Sequence, residues 1–292
     1  MAAQSKQQVR TETRNQARKN VKRFARNRLA VAGALIIAFA VLVALLAPVL
    51  PLPNPDLPDT ANLLAAPSHL HLLGTDSLGR DTLSRIVFGS RVSLLVGLGA
   101  VSMGMLIGVT LGSLAGYYGG WIDVVVSRFI DIFLAIPGIL LALAIMAVLP
   151  PSVFSIIIAI GITDWTRFAR VTRGETLALK ARDFVEGARA LGAKDSRILF
   201  KHVLRNMLAP VIVIATFSMA TAILVEASLS FLGIGVPPPT PTWGGMLADA
   251  KGFMRDAPWA SIFPGVAIMF VILGFNFLGD GIRDASDPHL RS

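Results

Sequence analysis

An all-α integral membrane protein with six transmembrane helices is the fold class this sequence predicts, on three observations. Hydrophobic residues make up 54% of the 292 and charged residues only 15%, with a mean hydropathy of +0.66. A soluble domain carries charge on about a quarter of its residues. The charge is also confined. Uncharged runs separate Arg28 from Asp56, Arg91 from Asp123, Asp131 from Asp164, Arg205 from Glu226, and Asp256 from Asp280. Each run holds enough residues to cross a hydrocarbon core of ~30 Å as a helix, which takes about 20. Third, Lys and Arg concentrate on alternate loops, which predicts that both termini are cytoplasmic. The net charge of +9 is therefore an anchor pattern and not a nucleic-acid surface. With no cysteine in the chain, disulfides, thiolate metal sites and cysteine nucleophiles are excluded.

Residues 1–28 carry nine Lys or Arg against the single acid Glu12, a basic cytoplasmic segment ahead of a hydrophobic run. That run, Leu29–Leu50, is too long for a cleaved signal core and no small-residue cleavage site follows it. It is the first span, stopped by Pro48, Pro51, Pro53 and Pro55. The interval 51–85 is an external loop. Residues 86–283 form the core, and 284–292 a cytoplasmic tail. The second span, Ile86–Gly116, has a small-residue face (Gly97, Gly99, Ser102, Gly104, Gly108, Gly112) suited to close helix packing. A turn at Tyr117–Asp123 leads to the third, Val124–Leu149, which Pro137-Gly138 should kink. Arg128 and Asp131, three apart, are placed to pair. The fourth span is Val153–Ala169, the fifth Met207–Leu232 and the sixth Ala260–Leu278. The proline-rich interval 233–259 is external. The stretch 167–205 holds ten Lys or Arg and is cytoplasmic.

That stretch contains two short helices with a break. Asp183 and Glu186 have the spacing of a capping box, Gly192 sits where a left-handed C-terminal cap is wanted, and Asp195 or Ser196 can start the second helix. Ile198, Leu199, His202 and Val203 give that helix one apolar stripe. Glu186-Gly187-Ala188, three residues, Gly192, then nine residues before His202-Val203-Leu204 resembles the EAA loop of ATP-binding-cassette importer permeases. There are two departures. Gly187 replaces an Ala and loosens the helix by about 0.5–1 kcal/mol. Arg205 replaces a Pro, so the second helix should continue unbroken. Three further blocks stand in family order: Leu73 to Asp81 (LGTDSLGRD), Ala227 to Gly233 with Trp243-Gly244-Gly245, and Leu278 to Ala285 (LGDGIRDA). Together, over about residues 70–290, they closely resemble the C-type permease of dipeptide, oligopeptide and nickel importers.

The resemblance implies a pore-forming subunit that works by alternating access. Its implied partners are a B-type permease subunit, two ATP-binding-cassette ATPase subunits, an extracytoplasmic solute-binding protein and membrane lipid, in a bacterial inner membrane. The ATPase-coupling residues it implies are Asp183, Glu186, Gly187, Ala188, Leu191 and Gly192, with Ala188 and Leu191 as the contact face. The chain lacks a G-x-x-x-x-G-K-[ST] phosphate loop, so ATP and Mg are expected on the partner ATPases and no cofactor here. No protease or hydrolase motif is present, so catalytic residues are not expected. The same scaffold could import nickel or another small solute. An ion-gradient transporter would call for mid-membrane ionisable residues and an internal repeat, and neither is evident. His69 and His71 are an i, i+2 pair, read as solvated loop residues. Glu226 is the acid deep in an otherwise hydrophobic run. It either lines the translocation path, with Ser228 and Asn276, or bonds to a neighbouring helix.

Overall fold

The computed structural model describes residues 23–286; most of the basic segment (1–22) and the last six residues lie outside it. Among the described residues there is no strand, only an isolated bridge between Thr75 and Asp81. The elements are α1 (Arg28–Leu46), α2 (Thr82–Tyr118), α3 (Gly120–Ala135), α4 (Gly138–Met146), α5 (Val153–Lys180), α6 (Asp183–Ala190), α7 (Asp195–Ile198), α8 (Leu208–Phe231), α9 (Trp243–Ala250) and α10 (Trp259–Ser286). Helix starts follow side-chain acceptors. Asn27 caps α1, Asp81 caps α2, Ser152 caps α5 and Thr242 caps α9, each accepting from backbone N–H groups of the first turn.

Four helices (α1 with its following turn, α2, α8 and α10) are long and apolar enough to cross a membrane, and α3 with α4 adds a fifth crossing if the bent pair is one span. The kink expected at Pro137 is a bend of 89°. Pro137 adopts φ −54°, ψ 127°, outside helical geometry. The fourth expected span differs most. α5 runs on to Lys180 and carries Asp164, Arg167, Arg170, Arg173, Glu175 and Lys180, so it does not meet the composition of an apolar span.

α2 and α5 form the spine. Their seam uses the small-residue face of α2. A Cβ added at Gly108 would stand 2.3 Å from the Trp165 carbonyl oxygen, and one at Gly112 2.4 Å from that of Ala169. The two backbones touch where larger residues would hold them apart. Gly97 faces Met219 and Ile223 of α8 instead. α1 packs on α10 through Gly33, Gly274 and Gly281. The main core joins Val96, Ala100, Ile156, Ile160, Phe168, Ile223 and Phe275 from α2, α5, α8 and α10.

Candidate functional site

Between α5 and α8 the chain forms an elbow. α6 is a two-turn helix whose cap residue is Arg182 (φ −87°, ψ 144°), not Asp183. The Arg182 carbonyl accepts from Val185 and Glu186 N–H (2.9 and 3.2 Å). The expected capping box therefore does not form: Asp183 is already the first helical residue, and Glu186 is exposed and caps nothing. Both acids still stand in the first turn, where the helix dipole favours negative charge. The far end is as expected. Gly192 adopts φ +79°, its N–H donates to Arg189 O (2.9 Å), and Ala193 N–H donates to Ala188 O (3.0 Å), the paired bonds of a Schellman cap.

The second arm does not continue unbroken. After α7 it passes through a π-helical turn (Leu199–Val203) and one further turn (Leu204–Asn206), and the backbone breaks at Met207 before α8 begins. The π-helical turn adds one residue to the ladder and precedes the break.

Val185, Ile198, Leu199, Val203 and Met207 form one buried cluster with Tyr117 and Val211, which joins the elbow to α2 and α8. Of the two residues expected on the contact face, Leu191 is 90% exposed, while Ala188 is half-buried and packs on the inner cluster. Two phenylalanines of the same elbow, Phe184 and Phe200, are also exposed. Gly187 is exposed on a helix face with open space around it.

Sequence reasoning missed the joint between elbow and spine. The Tyr117 hydroxyl donates to Asp195 Oδ1 at 2.6 Å, and Lys180 Nζ donates to the Tyr117 carbonyl. The Arg189 guanidinium reaches the same hydroxyl, a contact that holds its pKa above the ordinary arginine value. Asp123 and Arg173 tie α3 to α5 by a two-pronged ion pair, whereas Arg128 and Asp131 lie exposed at 3.9 Å.

At the opposite end of the bundle the LGTDSLGRD block is a folded knot. Asp76 accepts from the backbone N–H of Leu78 and Arg80 (both 2.9 Å) and from Arg80 Nε at 2.7 Å. Arg80 Nη2 continues to Asp249 of α9 at 3.0 Å, and Arg85 Nε lies 3.4 Å from Asp76. Gly79 is obligatory: φ is +75°, and a Cβ would stand 1.8 Å from Asp59 O. The Asn62 amide, first among its contacts, holds the Asp59 carboxyl below the usual carboxylate range. His71 is not a solvated loop residue; its Nδ1 lies 3.0 Å from Asp81 Oδ2. His69 is exposed.

The residues expected on a translocation path do not converge. Glu226 is fully buried. Ser93 Oγ donates to its Oε2 (3.1 Å) and Ser230 Oγ to its Oε1 (2.8 Å), the helix-bonding alternative. Ser228 donates to Leu224 O and borders an open apolar groove of about 450 Å³ with Phe231, Leu247 and Ile268. Asn276 is half-buried and forms no side-chain hydrogen bond among the described residues. Glu226 is also not the sole acid at depth. Asp164 stands in the middle of α5, a position legible as an acid inside an apolar segment.

Family comparison decides among scaffolds. Residues 108–292 match the model for the binding-protein-dependent transport system inner membrane component, and residues 15–67 match the N-terminal TM domain of oligopeptide transport permease C. The chain belongs to the binding-protein-dependent transport permease family. It is a multi-pass inner-membrane component. The family match begins at residue 15, so likeness extends into the basic segment that the four motif blocks left out. Dipeptide transport system permease protein DppC of Alkalihalophilus pseudofirmus is 47% identical, covering 94% of this permease and 90% of the relative. Glutathione transport system permease protein GsiD of Pectobacterium atrosepticum is 44% identical (93% and 90%), and oligopeptide transport system permease protein OppC of Bacillus subtilis 42% (92% and 88%). The permease fold itself is shared with the inward-facing MetNI methionine ABC transporter, at TM-score 0.59 and 20% identity over 70% of this chain and 98% of that one.

Proposed function

We propose that this permease is one of two pore-forming subunits of an ATP-driven importer of di- and oligopeptides, working by alternating access. In this reading α5 supplies a sixth crossing beside the apolar spans, and both termini and the elbow are cytoplasmic. The other half of the pore is a B-type permease. Two ATP-binding-cassette ATPases bind ATP and Mg, and an extracytoplasmic solute-binding protein delivers cargo to the face carrying the Asp76–Arg80 knot.

The observation that carries the coupling reading is the shape of the elbow. It is a capped hinge fused to α5 and α8, and it turns Leu191, Phe184 and Phe200 outward between charged flanks. An exposed apolar tip on a rigid mount is what a groove on a motor subunit would grip. Closure of the ATPases on nucleotide would draw two such elbows together, and the Tyr117 joint would pass the displacement to the spine. In this scheme Glu186 neither caps nor moves protons, while Gly192 sets the angle of the elbow. The peptide assignment rests on likeness to the dipeptide and oligopeptide permeases. A second reading, import of glutathione, itself a small peptide, draws on the likeness to GsiD.

Purification through a tag on this chain tests the assembly, and ATP-dependent uptake into proteoliposomes tests the cargo. ATPase subunits and a second permease should co-purify, and dialanine should accumulate only with ATP and the binding protein. A chain that purifies alone and moves solute down an ion gradient would refute the proposal.

A further inference from the structure

Two ionisable side chains of α5, Asp164 and Arg167, lie one turn apart and take no part in the elbow or the knot. Asp164 lies level with Gly104 of α2, where a Cβ would stand 3.3 Å from Gly161 O and 3.5 Å from the Asp164 carbonyl carbon. Gly104 falls within the uncharged run between Arg91 and Asp123, in the part of α2 apolar enough to cross a membrane, so Asp164 stands level with an apolar stretch. Arg167 is one turn further along. Charges at that depth are costly in hydrocarbon and are retained facing water or protein.

Their pairing is loose. Asp164 Oδ1 and Arg167 Nε are 3.9 Å apart, beyond hydrogen-bond distance. Asp164 Oδ2 is buried and receives no hydrogen bond among the described residues. The nearby hydroxyls do not supply one, because Thr163 donates to Ile160 O and Thr166 to Thr163 O. The Asp164 side chain is 15% exposed and that of Arg167 47%. A well-satisfied structural ion pair would instead be closed and bonded, as Arg80 and Asp76 are.

We infer that Asp164 and Arg167 form a recognition pair on the wall of the translocation path, taking the cationic and anionic ends of a zwitterionic solute. This rests on the peptide-import reading and narrows it, because free peptides present one ammonium and one carboxylate. Asp164 would accept from the ammonium, and Arg167, with its fork of donors, would grip the carboxylate.

The chain has no cysteine, which makes the test direct in the assembled transporter. In Arg167→Cys, a water-soluble, charged methanethiosulfonate reagent should react at least tenfold faster than in Ala159→Cys, a site with 0% exposure. Asp164→Asn should co-purify with its partner subunits, leave the binding protein's affinity unchanged and lower dialanine uptake at least tenfold. The exchange Asp164→Arg with Arg167→Asp separates recognition from a structural pair: recovered uptake means a structural pair and overturns the proposal, while persistent loss in an assembled complex supports it. Equal reactivity of the two cysteine variants, unchanged uptake by Asp164→Asn, or loss of the partner permease in that variant would each overturn it as well. If the wild-type complex takes up no dialanine, the peptide reading fails, and the cysteine reactivities still decide where the pair faces.

Discussion

The same substitution at two glycines of the elbow should have opposite signs. Gly187 lies inside α6 and Gly192 caps it, and a Cβ at either meets nothing within 4 Å, so steric clash contributes to neither. At Gly187, Ala removes backbone freedom from the unfolded chain and favours helix by about 0.5–1 kcal/mol. At Gly192 the φ of +79° is the left-handed region, where a side chain costs about 1–2 kcal/mol, and a β-branched one more. Ala193 N–H to Ala188 O and Gly192 N–H to Arg189 O are the bonds that open. With 1.4 kcal/mol equal to a factor of ten, Gly187→Ala should slow hydrogen exchange at those amides about two- to fivefold. Gly192→Val should speed it roughly five- to thirtyfold and lower peptide imported per ATP hydrolysed. Exchange unaltered in Gly192→Val, or faster in Gly187→Ala, would refute the conformational account of the elbow.

Tyr117→Phe deletes the bond to Asp195, worth about 1 kcal/mol after allowance for its partial exposure, and should reduce uptake per ATP several-fold with assembly intact, measured in proteoliposomes. Glu226→Ala leaves a cavity and strands the Ser93 and Ser230 hydroxyls, a cost of about 2–4 kcal/mol that thermal melting of the purified complex would register. Asp76→Ala leaves Arg80 and Arg85 buried beside a single remaining carboxylate, and should cost about 3–5 kcal/mol, read as loss of folded complex. Gly108→Leu should prevent the α2–α5 seam from closing and abolish monodisperse protein on gel filtration, whereas Gly174→Ala, in open space, should not.

Much of the architecture was legible because it is written in local chemistry. The glycine face of α2, the bend at Pro137 and the cap at Gly192 each follow from residues within a turn or two of one another. The knot was visible as a motif but not as a structure, since Arg80 meets Asp249 169 residues away, a distance no local pattern spans. The capping box failed because Arg182, not Asp183, took the extended backbone of the cap, a shift of one residue that spacing alone does not set. The break at Met207 was hidden because Arg205 permits a helix, and the π-helical turn holds Leu199 and Val203 in the same buried cluster as Ile198, a tertiary packing no local pattern states. Asp164 was overlooked because it served as the boundary of an uncharged run.

The α5 carbonyls of Trp165 and Ala169 lie directly in the glycine trough of α2, wedged beside Phe168 and Thr172, whose hydroxyl bonds to the Gly108 carbonyl. Sliding one along the other would drive peptide oxygens over bare backbone at every fourth residue, so the two must travel as a single beam. Any rocking that opens the passage is thereby forced onto the softer joints, where α8 and α10 meet that beam through methionine and phenylalanine. Those joints are where substitutions that bias the transporter toward one resting posture should be sought.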